Sequence, residues 1–194
     1  VWLMEQVPVS AVCVGRMIKY KDFEDYASPN IGKFTAIDWG WLLDKRVFDE
    51  IQYDENLRAN EDTDFGIRFF KRFTASPIKQ PLTIAYDEFG DPRKSLSFPT
   101  KRELDGMTRF FEKNLHEYQG YPNELWHLYR LMGRKFYRGG YRLRGLNYFW
   151  RGFLSYPTPR SLTHLLFLLC GWTIYDIFMT LEEKLAAYLR KHVI

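Results

Sequence analysis

Two runs decide how the first half of this 194-residue chain folds: WGWLLDKRVFDEI at residues 39–51 and NEDTDFGIRF at residues 60–69. The first run opens as a compact apolar segment, and its charged second part predicts a short helix over residues 45–51. In the second run apolar side chains follow three acidic ones, which predicts a buried helix that begins near Glu61. Acidic side chains are favoured there because the first helical turn has unpaired N–H groups and the positive end of the helix dipole.

The acidic side chains of the second run are the strongest chemical signal in the sequence. Glu61, Asp62 and Asp64 place three carboxylates in one helical turn, where they point in different directions. One can cap backbone N–H groups while another points into a cleft, which leaves a carboxylate available for chemistry. Capping and surface charge alone also explain such a cluster, since acidic first turns are common.

Outward from these runs, the pattern predicts an α/β region over residues 1–99. Alternation with β-branched side chains over residues 7–15 predicts a strand, and the polar, turn-rich residues 19–35 predict a loop. Residues 81–86 predict the last core strand, and a turn-rich loop follows it at residues 87–95.

Composition excludes several classes of protein. Hydrophobic residues make up 46% of the chain and aromatic residues 18%, which is too much for a disordered segment. Cys13 and Cys170 are far apart and fit no zinc or disulfide spacing, so we expect a reducing compartment. The chain begins at Val1 with no secretory pattern, and we expect it to be a fragment of a longer protein.

The order and spacing of the motifs resemble the acceptor-side half of a family 2 glycosyltransferase. In that family an apolar strand with a glycine, here Gly40, leads to an Arg-x-Phe helix, here RVF at residues 46–48. An aromatic-Asp-Glu turn and a Glu-Asp-x-Asp helix start follow, here YDE at residues 53–55 and EDTD at residues 61–64. The resemblance covers residues 7 to about 115. It implies part of a GT-A fold, the α/β architecture of nucleotide-diphospho-sugar transferases.

The resemblance implies inverting transfer of a sugar from a nucleotide-sugar donor to a hydroxyl of a saccharide or lipid-linked acceptor, as in polysaccharide biosynthesis. The acid of the family motif falls on Glu61 and Asp62, and Asp62 is the expected general base. Such a base is needed because an acceptor hydroxyl is a poor nucleophile until its proton is removed. Asp64, Trp39 and Trp41 are expected to bind the acceptor, although a strand alternates faces and one of the two indoles equally fits a core position.

The chain departs from the family on the donor side. An upstream Asp-x-Asp normally holds the Mg²⁺ or Mn²⁺ that bridges the donor diphosphate, and this sequence has no such motif ahead of its acceptor half. Residues 62–64 match Asp-x-Asp literally but stand in the acceptor position, so we assign no metal ligand in this chain. We expect the main ligands to lie outside it and the isolated fragment to be inactive. Arg93, Lys94 and Ser95 follow the last strand and are expected to contact the donor diphosphate, with a solvated turn as the alternative.

The second half, residues 100–194, has helical spacing and is predicted to be an all-helical appendage. A capping box at Thr100 and Glu103 begins its first helix. Residues 126–159 resemble one tetratricopeptide-like helical hairpin, with glycine at several small-residue positions. Because a single repeat cannot bury its own face, we expect it to pack on the transferase core as a helical appendage rather than to form a peptide-binding solenoid.

Charge is distributed unevenly along the helical half. Residues 125–175 hold eight basic and no acidic side chains, interleaved with aromatic ones, which suits an anionic membrane surface as well as a solvated helix face. Arg160 and Asp176 bracket 15 uncharged residues, fewer than the roughly 18 of a spanning helix, so we expect a buried or interfacial helix over residues 162–175 rather than a transmembrane one. The expected location is cytoplasmic, with peripheral contact at the inner face of the cell membrane.

Two other functions compete with sugar transfer. The first is a helical, tetratricopeptide-like adaptor without catalytic activity, which absence of the donor motif from the whole gene would support. The second is a basic nucleic-acid-binding protein. It is disfavoured because the sequence contains no zinc finger, recognition-helix signature or aromatic ribonucleoprotein motif, so no nucleic-acid partner is expected.

Overall fold

The computed structural model describes residues 10–20, 23–27, 29, 31–37, 40–86 and 99–192. The chain forms two compact units. Unit 1 consists of Val1–Ser97 and Asp105–Glu117, and unit 2 of Phe98–Leu104 and Tyr118–Ile194. The fold is mixed α/β, with a small mixed sheet and more helix than strand, as the sequence predicts.

The sheet of unit 1 is centred on strand β1, Ala11–Tyr20. Strand β4, Ala75–Tyr86, pairs parallel with it along one edge. The other edge is divided between two antiparallel partners: β3, Trp41–Leu43, pairs with the first part of β1, and β2, Phe23–Ala27, pairs with the last part. A register shift in β1 near Gly15 accompanies this change of partner.

The predicted loop over residues 19–35 is wrong where β2 forms. The segment FEDYA at residues 23–27 has too few apolar residues to show a strand pattern. Its backbone nevertheless pairs with β1 from Tyr20 and Phe23 onward. Strand pairing depends on backbone groups of a neighbouring segment, which a pattern of side chains does not report.

Three of the helices that the structure describes belong wholly or partly to unit 1. They are α1, Lys45–Glu50, α2, Glu61–Phe69, and α3, Lys101–Tyr118, of which unit 1 contains Asp105–Glu117. Asp44 caps α1 by accepting a hydrogen bond from the Arg46 backbone N–H at 2.9 Å. The predicted capping box of α3 is confirmed, because Thr100 and Glu103 exchange backbone-to-side-chain hydrogen bonds. The core joins sheet and helices through these buried side chains: Ala11, Cys13, Ile37, Trp41, Val47, Ile51, Phe65 and Phe69.

An ion cluster on Glu117 holds α3 within unit 1. The buried Glu117 carboxylate binds two ammonium groups. One belongs to Lys71, which lies just after α2, and the other belongs to Lys33, whose Nζ lies 3.0 Å from a carboxylate oxygen. The hydrogen bond from Lys71 is the main reason that the pKa of Glu117 falls to about 2, with Lys33 adding to the effect. Glu117 therefore stays ionised and joins the loop at residue 33, the end of α2 and α3.

Unit 2 is built around four further helices: α4, Pro122–Arg138, α5, Arg142–Ser155, α6, Pro159–Leu169, and α7, Trp172–His192. The predicted helix over residues 162–175 is interrupted between α6 and α7, where Gly171 has a φ of +113° that favours glycine. Among the helices that the structure describes, none is both long enough and apolar enough to cross a bilayer.

Helices α4 and α5 pack closely and antiparallel, because glycines stand where they touch. A Cβ added to Gly145 would lie 2.8 Å from the Gly133 carbonyl oxygen and 2.8 Å from the backbone N of Tyr137. Gly152, one turn from the end of α5, approaches Tyr129 and Trp126 in the same way. The core shared with α6 and α7 contains Phe149, Leu165, Leu168, Tyr175 and Met179.

A neutral histidine lies inside unit 2. His164 is fully buried, and its Nδ1 lies 3.1 Å from the Tyr175 hydroxyl. Its Nε2 lies 3.5 Å from a Glu182 carboxylate oxygen. Burial is the main reason that the pKa of His164 falls to about 3, and the nearby cations add to it: Arg130, Arg160, Arg134 and His127.

We expect Gly145→Ala to destabilise unit 2. Alanine is the better helix former, but its methyl group would meet backbone atoms that cannot move aside, so the free energy of unfolding should fall by about 1–3 kcal/mol. Urea unfolding followed by circular dichroism measures the change. Asn147→Ala, at an exposed position of the same helix, is the control and should be neutral or slightly stabilising. Equal stability of the two variants would contradict the close packing.

We expect unit 2 to lose stability as pH falls below 6.5, because His164 binds a proton when unfolded near its ordinary pKa of 6.5 but not in the fold. The loss should reach about 2 kcal/mol by about pH 5, above the range in which the paired carboxylates titrate. Chemical unfolding at several pH values measures this slope. His164→Gln should flatten it, whereas His127→Gln, at a half-buried position, should leave most of it. An unchanged slope in His164→Gln would exclude His164 as its source.

Candidate functional site

The acid-rich start of α2 lines an open cleft of about 1090 Å³ in unit 1. Its walls come from the loop at Ile37, the turn that follows α1, and the first residues of α2. The lining residues are Ile37, Tyr53, Asp54, Glu55, Asn56, Leu57, Arg58, Glu61 and Asp62. The YDE and EDTD motifs, which the sequence singles out, therefore meet at one cleft.

The turn at residues 54–58 is folded by its own side chains and by α3. The Asp54 Oδ1 accepts hydrogen bonds from the backbone N of Asn56 at 3.0 Å and from its side-chain Nδ2 at 3.2 Å. Gly106 of α3 lies directly against this segment, since a Cβ there would be 3.1 Å from the backbone N of Arg58 and of Ala59. The turn then enters α2 through Asn60, whose φ of 60° suits asparagine better than most residues.

An aromatic ring forms part of the cleft wall. Tyr53 stacks on Phe65 of α2 with ring centroids 4.5 Å apart, and its hydroxyl donates a hydrogen bond to the Ile37 carbonyl at 3.1 Å. Ile37 in turn donates its backbone N–H to the Asp62 carbonyl at 3.2 Å. The Tyr53 side chain is still 42% exposed, so a ring of fixed orientation faces the open space. Tyr53 belongs to the YDE motif, but the family resemblance implies no role for its side chain.

Asp62 and Glu61 both line the cleft. Asp62 is half-buried, and its Oδ1 accepts hydrogen bonds from the Thr63 backbone N at 2.7 Å and from the Thr63 hydroxyl at 3.3 Å. No group in the described part of the chain donates to its second oxygen, Oδ2. Glu61 is exposed at the rim. The half-buried carboxylate of Asp62 is thus oriented on one oxygen and available on the other.

Asp64 is fully buried and does not line the cleft. Its Oδ2 accepts a hydrogen bond from Arg68 Nε at 2.9 Å, and a second guanidinium nitrogen of Arg68 lies 2.8 Å away. Its Oδ1 is bound by Asn114 Nδ2 at 3.0 Å and Lys113 Nζ at 2.9 Å, both from α3. With both oxygens engaged, Asp64 joins α2 to α3. We therefore do not propose for it the acceptor-binding role that the resemblance implied.

Lys113 connects this buried carboxylate to the cleft. Its ammonium group lies 2.7 Å from Asp54 Oδ2 and 2.9 Å from Asp64 Oδ1. The hydrogen bond from Lys113 is the main reason that the pKa of Asp54 is lowered, and the backbone N–H of Asn56 adds to the effect. Asp54 is therefore an ionised, fully hydrogen-bonded structural acid.

Of the remaining predicted site residues, the structure describes Trp41. Trp41 is buried in the core of unit 1, with edge contacts to Phe69 and Phe70, and so takes the core-packing alternative. Trp39 and the predicted donor-contacting residues Arg93, Lys94 and Ser95 lie outside the described residues.

The local chemistry does not suit a metal ion at residues 62–64. The Asp64 carboxylate is enclosed by Arg68, Lys113 and Asn114, so it cannot join Asp62 in binding a cation. Within the described ranges of the chain there is no group of three or more His, Cys, Asp or Glu side chains that could hold a metal.

Comparisons of the chain with protein-family models, with curated proteins and with solved structures found no match.

We expect Asp64→Asn to destabilise unit 1 and Asp62→Asn to leave its stability almost unchanged, although the same change is made two positions apart. An amide at position 64 leaves Arg68 and Lys113 without a buried counter-charge, and the free energy of unfolding should fall by about 3 kcal/mol. Asp62→Asn should change it by less than about 0.5 kcal/mol.

Urea unfolding measures both changes, and hydrogen exchange over residues 61–69 assigns them to α2. Faster exchange in Asp64→Asn with unchanged exchange in Asp62→Asn is the expected result. Equal stability of the two variants would contradict the structural role of Asp64.

Proposed function

We propose that unit 1 is the acceptor-side part of an inverting, family 2-type glycosyltransferase and that its cleft holds the acceptor. One observation carries the proposal: Asp62, the acid on which the family motif places the base, lines an open cleft with one carboxylate oxygen oriented and the other available. The proposal extends to a partial GT-A fold, a nucleotide-sugar donor, and a saccharide or lipid-linked acceptor.

In the proposed reaction the acceptor hydroxyl donates a hydrogen bond to Asp62 Oδ2. As the hydroxyl oxygen forms its bond to the anomeric carbon of the donor sugar, its proton passes to Asp62. The bond between that carbon and the donor phosphate breaks on the opposite face, and the nucleoside diphosphate leaves with the bonding electrons. Attack and departure on opposite faces invert the configuration.

Asp62 is better suited to this role than the other acids of the cleft. Both oxygens of Asp54 already accept hydrogen bonds from protein groups, and the salt bridge with Lys113 keeps its carboxylate ionised and occupied. Glu61 is exposed, without the hydrogen bonds that orient Asp62. A base must be held within hydrogen-bond reach of a defined proton, which favours the oriented carboxylate. Glu61 is left with a supporting role at the rim.

The cleft walls match the chemistry of a sugar. A pyranose ring has an apolar face, which packs on an aromatic side chain, and hydroxyl groups at its edges, which need polar partners. Tyr53 supplies the aromatic face, the role first expected of Trp41, and Arg58 and Glu55 supply donors and acceptors. The cleft is as large as typical small-ligand sites, which span about 300–1,000 Å³.

The donor side of the proposal rests on the sequence alone. Arg93, Lys94 and Ser95 remain the proposed contacts to the diphosphate, and Mg²⁺ or Mn²⁺ remains the proposed ion of the complete enzyme, held mainly by ligands outside this chain. A cytoplasmic location beside the membrane is proposed with them.

The adaptor alternative is favoured by one feature of unit 2. Helices α4 and α5 form an antiparallel pair with glycines at their contact positions, as the tetratricopeptide-like spacing predicts. An adaptor would consume no nucleotide sugar, so the activity of the native gene product separates the two functions.

We expect Asp62→Asn to abolish most sugar transfer by the native gene product that contains this chain. Removal of a general base should lower kcat roughly 10²–10⁴-fold and leave the KM for the donor nearly unchanged. The assay measures acceptor-dependent release of nucleoside diphosphate from a panel of UDP-, GDP- and dTDP-sugars. Asp49→Asn, at an exposed position of α1 away from the cleft, is the matched control and should retain activity.

Two outcomes would contradict the proposal at different levels. Full turnover by Asp62→Asn would remove Asp62 from the role of base. Wild-type protein that consumes no nucleotide sugar, with saccharides and membrane lipids offered as acceptors, would overturn sugar transfer and favour the adaptor.

A further inference from the structure

Helices α6 and α7 expose an apolar face that the core of unit 2 does not use. Its members recur every three or four residues, so they share one side of each helix. They are between 40% and 61% exposed, and we call them the outer apolar face: Leu162, Leu166, Leu169, Ile174, Ile177, Leu181 and Leu185. The opposite sides of the same helices bury Leu165, Leu168, Tyr175 and Met179 in the core.

Helix α5, which packs on α6, exposes a further apolar stripe. Leu143 is 85% exposed, and Trp150 and Leu154 follow at spacings of seven and four residues on the same side. Exposed aliphatic side chains on α5, α6 and α7, together with a tryptophan, indicate an interaction site, since soluble monomers seldom expose large apolar patches.

Among the described side chains of these helices, the exposed charged ones are basic. Arg142, Arg144 and Arg151 are exposed on α5, and Lys184 is exposed beside Leu181 and Leu185 on α7. No acidic residue occurs between residues 125 and 175. The two α7 carboxylates that the structure describes, Asp176 and Glu182, are half-buried, and Glu182 is paired with Arg160 at 2.8 Å.

We propose that the outer apolar face lies on an anionic lipid bilayer, with its leucines and isoleucines in the interfacial layer and the basic side chains against lipid phosphates. Aliphatic residues on one helix side, a tryptophan and flanking arginines form the combination that binds such surfaces. No described helix meets the requirements for spanning a bilayer, so these helices lie in its plane. The proposal does not depend on sugar transfer.

A second copy of the chain fits this surface less well. Two copies that covered the same face around a twofold axis would bring the basic side chains of both copies, from α5 and from Lys184, to one interface. Like charges held together at an interface without counter-ions oppose association. An anionic membrane supplies the missing negative charge and an apolar layer together.

The test is flotation of the 194-residue chain with vesicles of phosphatidylcholine alone and of phosphatidylcholine with about 30 mol% phosphatidylglycerol. We expect binding to the anionic vesicles, weakened by high salt. The triple variant Leu166→Ser, Ile177→Ser, Leu181→Ser should lower the partition coefficient at least about tenfold. The variant Arg142→Gln, Arg144→Gln, Arg151→Gln should lower it roughly a hundredfold on anionic vesicles.

The matched control is Leu82→Ser with Ile84→Ser, which removes similarly exposed aliphatic side chains from β4 in unit 1 and should leave binding unchanged. All changed positions are exposed, and circular dichroism confirms that the variants fold. The proposal is overturned if the wild type does not float, or if the serine variant of the outer apolar face floats equally well. It is also overturned if sedimentation without lipid shows a dimer that this variant dissociates, because a second copy then covers the face.

Discussion

The buried carboxylate of Asp64 is the interaction on which unit 1 depends. Removing a charge from water is costly, and in this protein the cost is offset by Arg68 on the same helix and by Lys113 and Asn114 on α3, fifty residues away in sequence. Lys113 extends the network to Asp54 at the cleft. This buried carboxylate and its partners thus hold together the start of α2, one face of α3 and the turn at residues 54–58. The cleft exists because these three segments are held together.

This arrangement divides one acidic motif into two roles. Asp64 points inward and is saturated, whereas Asp62, two positions earlier and about 200° away around the helix, lines the cleft with one oxygen available. A helix start lets neighbouring acids differ in this way because successive side chains leave the axis in different directions. The buried acid gives α2 a rigid position, which the half-buried Asp62 needs for its proposed role as a base. The literal Asp-x-Asp pattern therefore does not form a metal site.

Much of the helical structure could be predicted from the sequence, because the residues that indicate a helix are close together in the chain. The capping box at Thr100, the periodic apolar residues of α3 to α5 and the acidic first turn of α2 depend on neighbours within a few residues. The resemblance singled out both the YDE turn and Asp62, which the structure places at one cleft. The partners of Asp64, the burial of Trp41 and the pairing of β2 did not, since they depend on residues distant in sequence. Gly171, which separates α6 from α7, lies in a sequence apolar enough to read as one helix.

The two units handle buried ionisable groups by opposite means. Unit 1 pairs each of its buried carboxylates with two basic side chains, Asp64 with Arg68 and Lys113, and Glu117 with Lys71 and Lys33. Unit 2 keeps His164 neutral among arginines and beside a tyrosine whose pKa burial raises to about 12. His164 stays neutral inside unit 2 mainly because it is buried, and the nearby Arg130, Arg160 and Arg134 further disfavour a positive charge there. In the described part of the chain the exposed Arg142, Arg144 and Arg151 of α5 form no salt bridge with a carboxylate, which leaves them available for the proposed contact with an anionic surface.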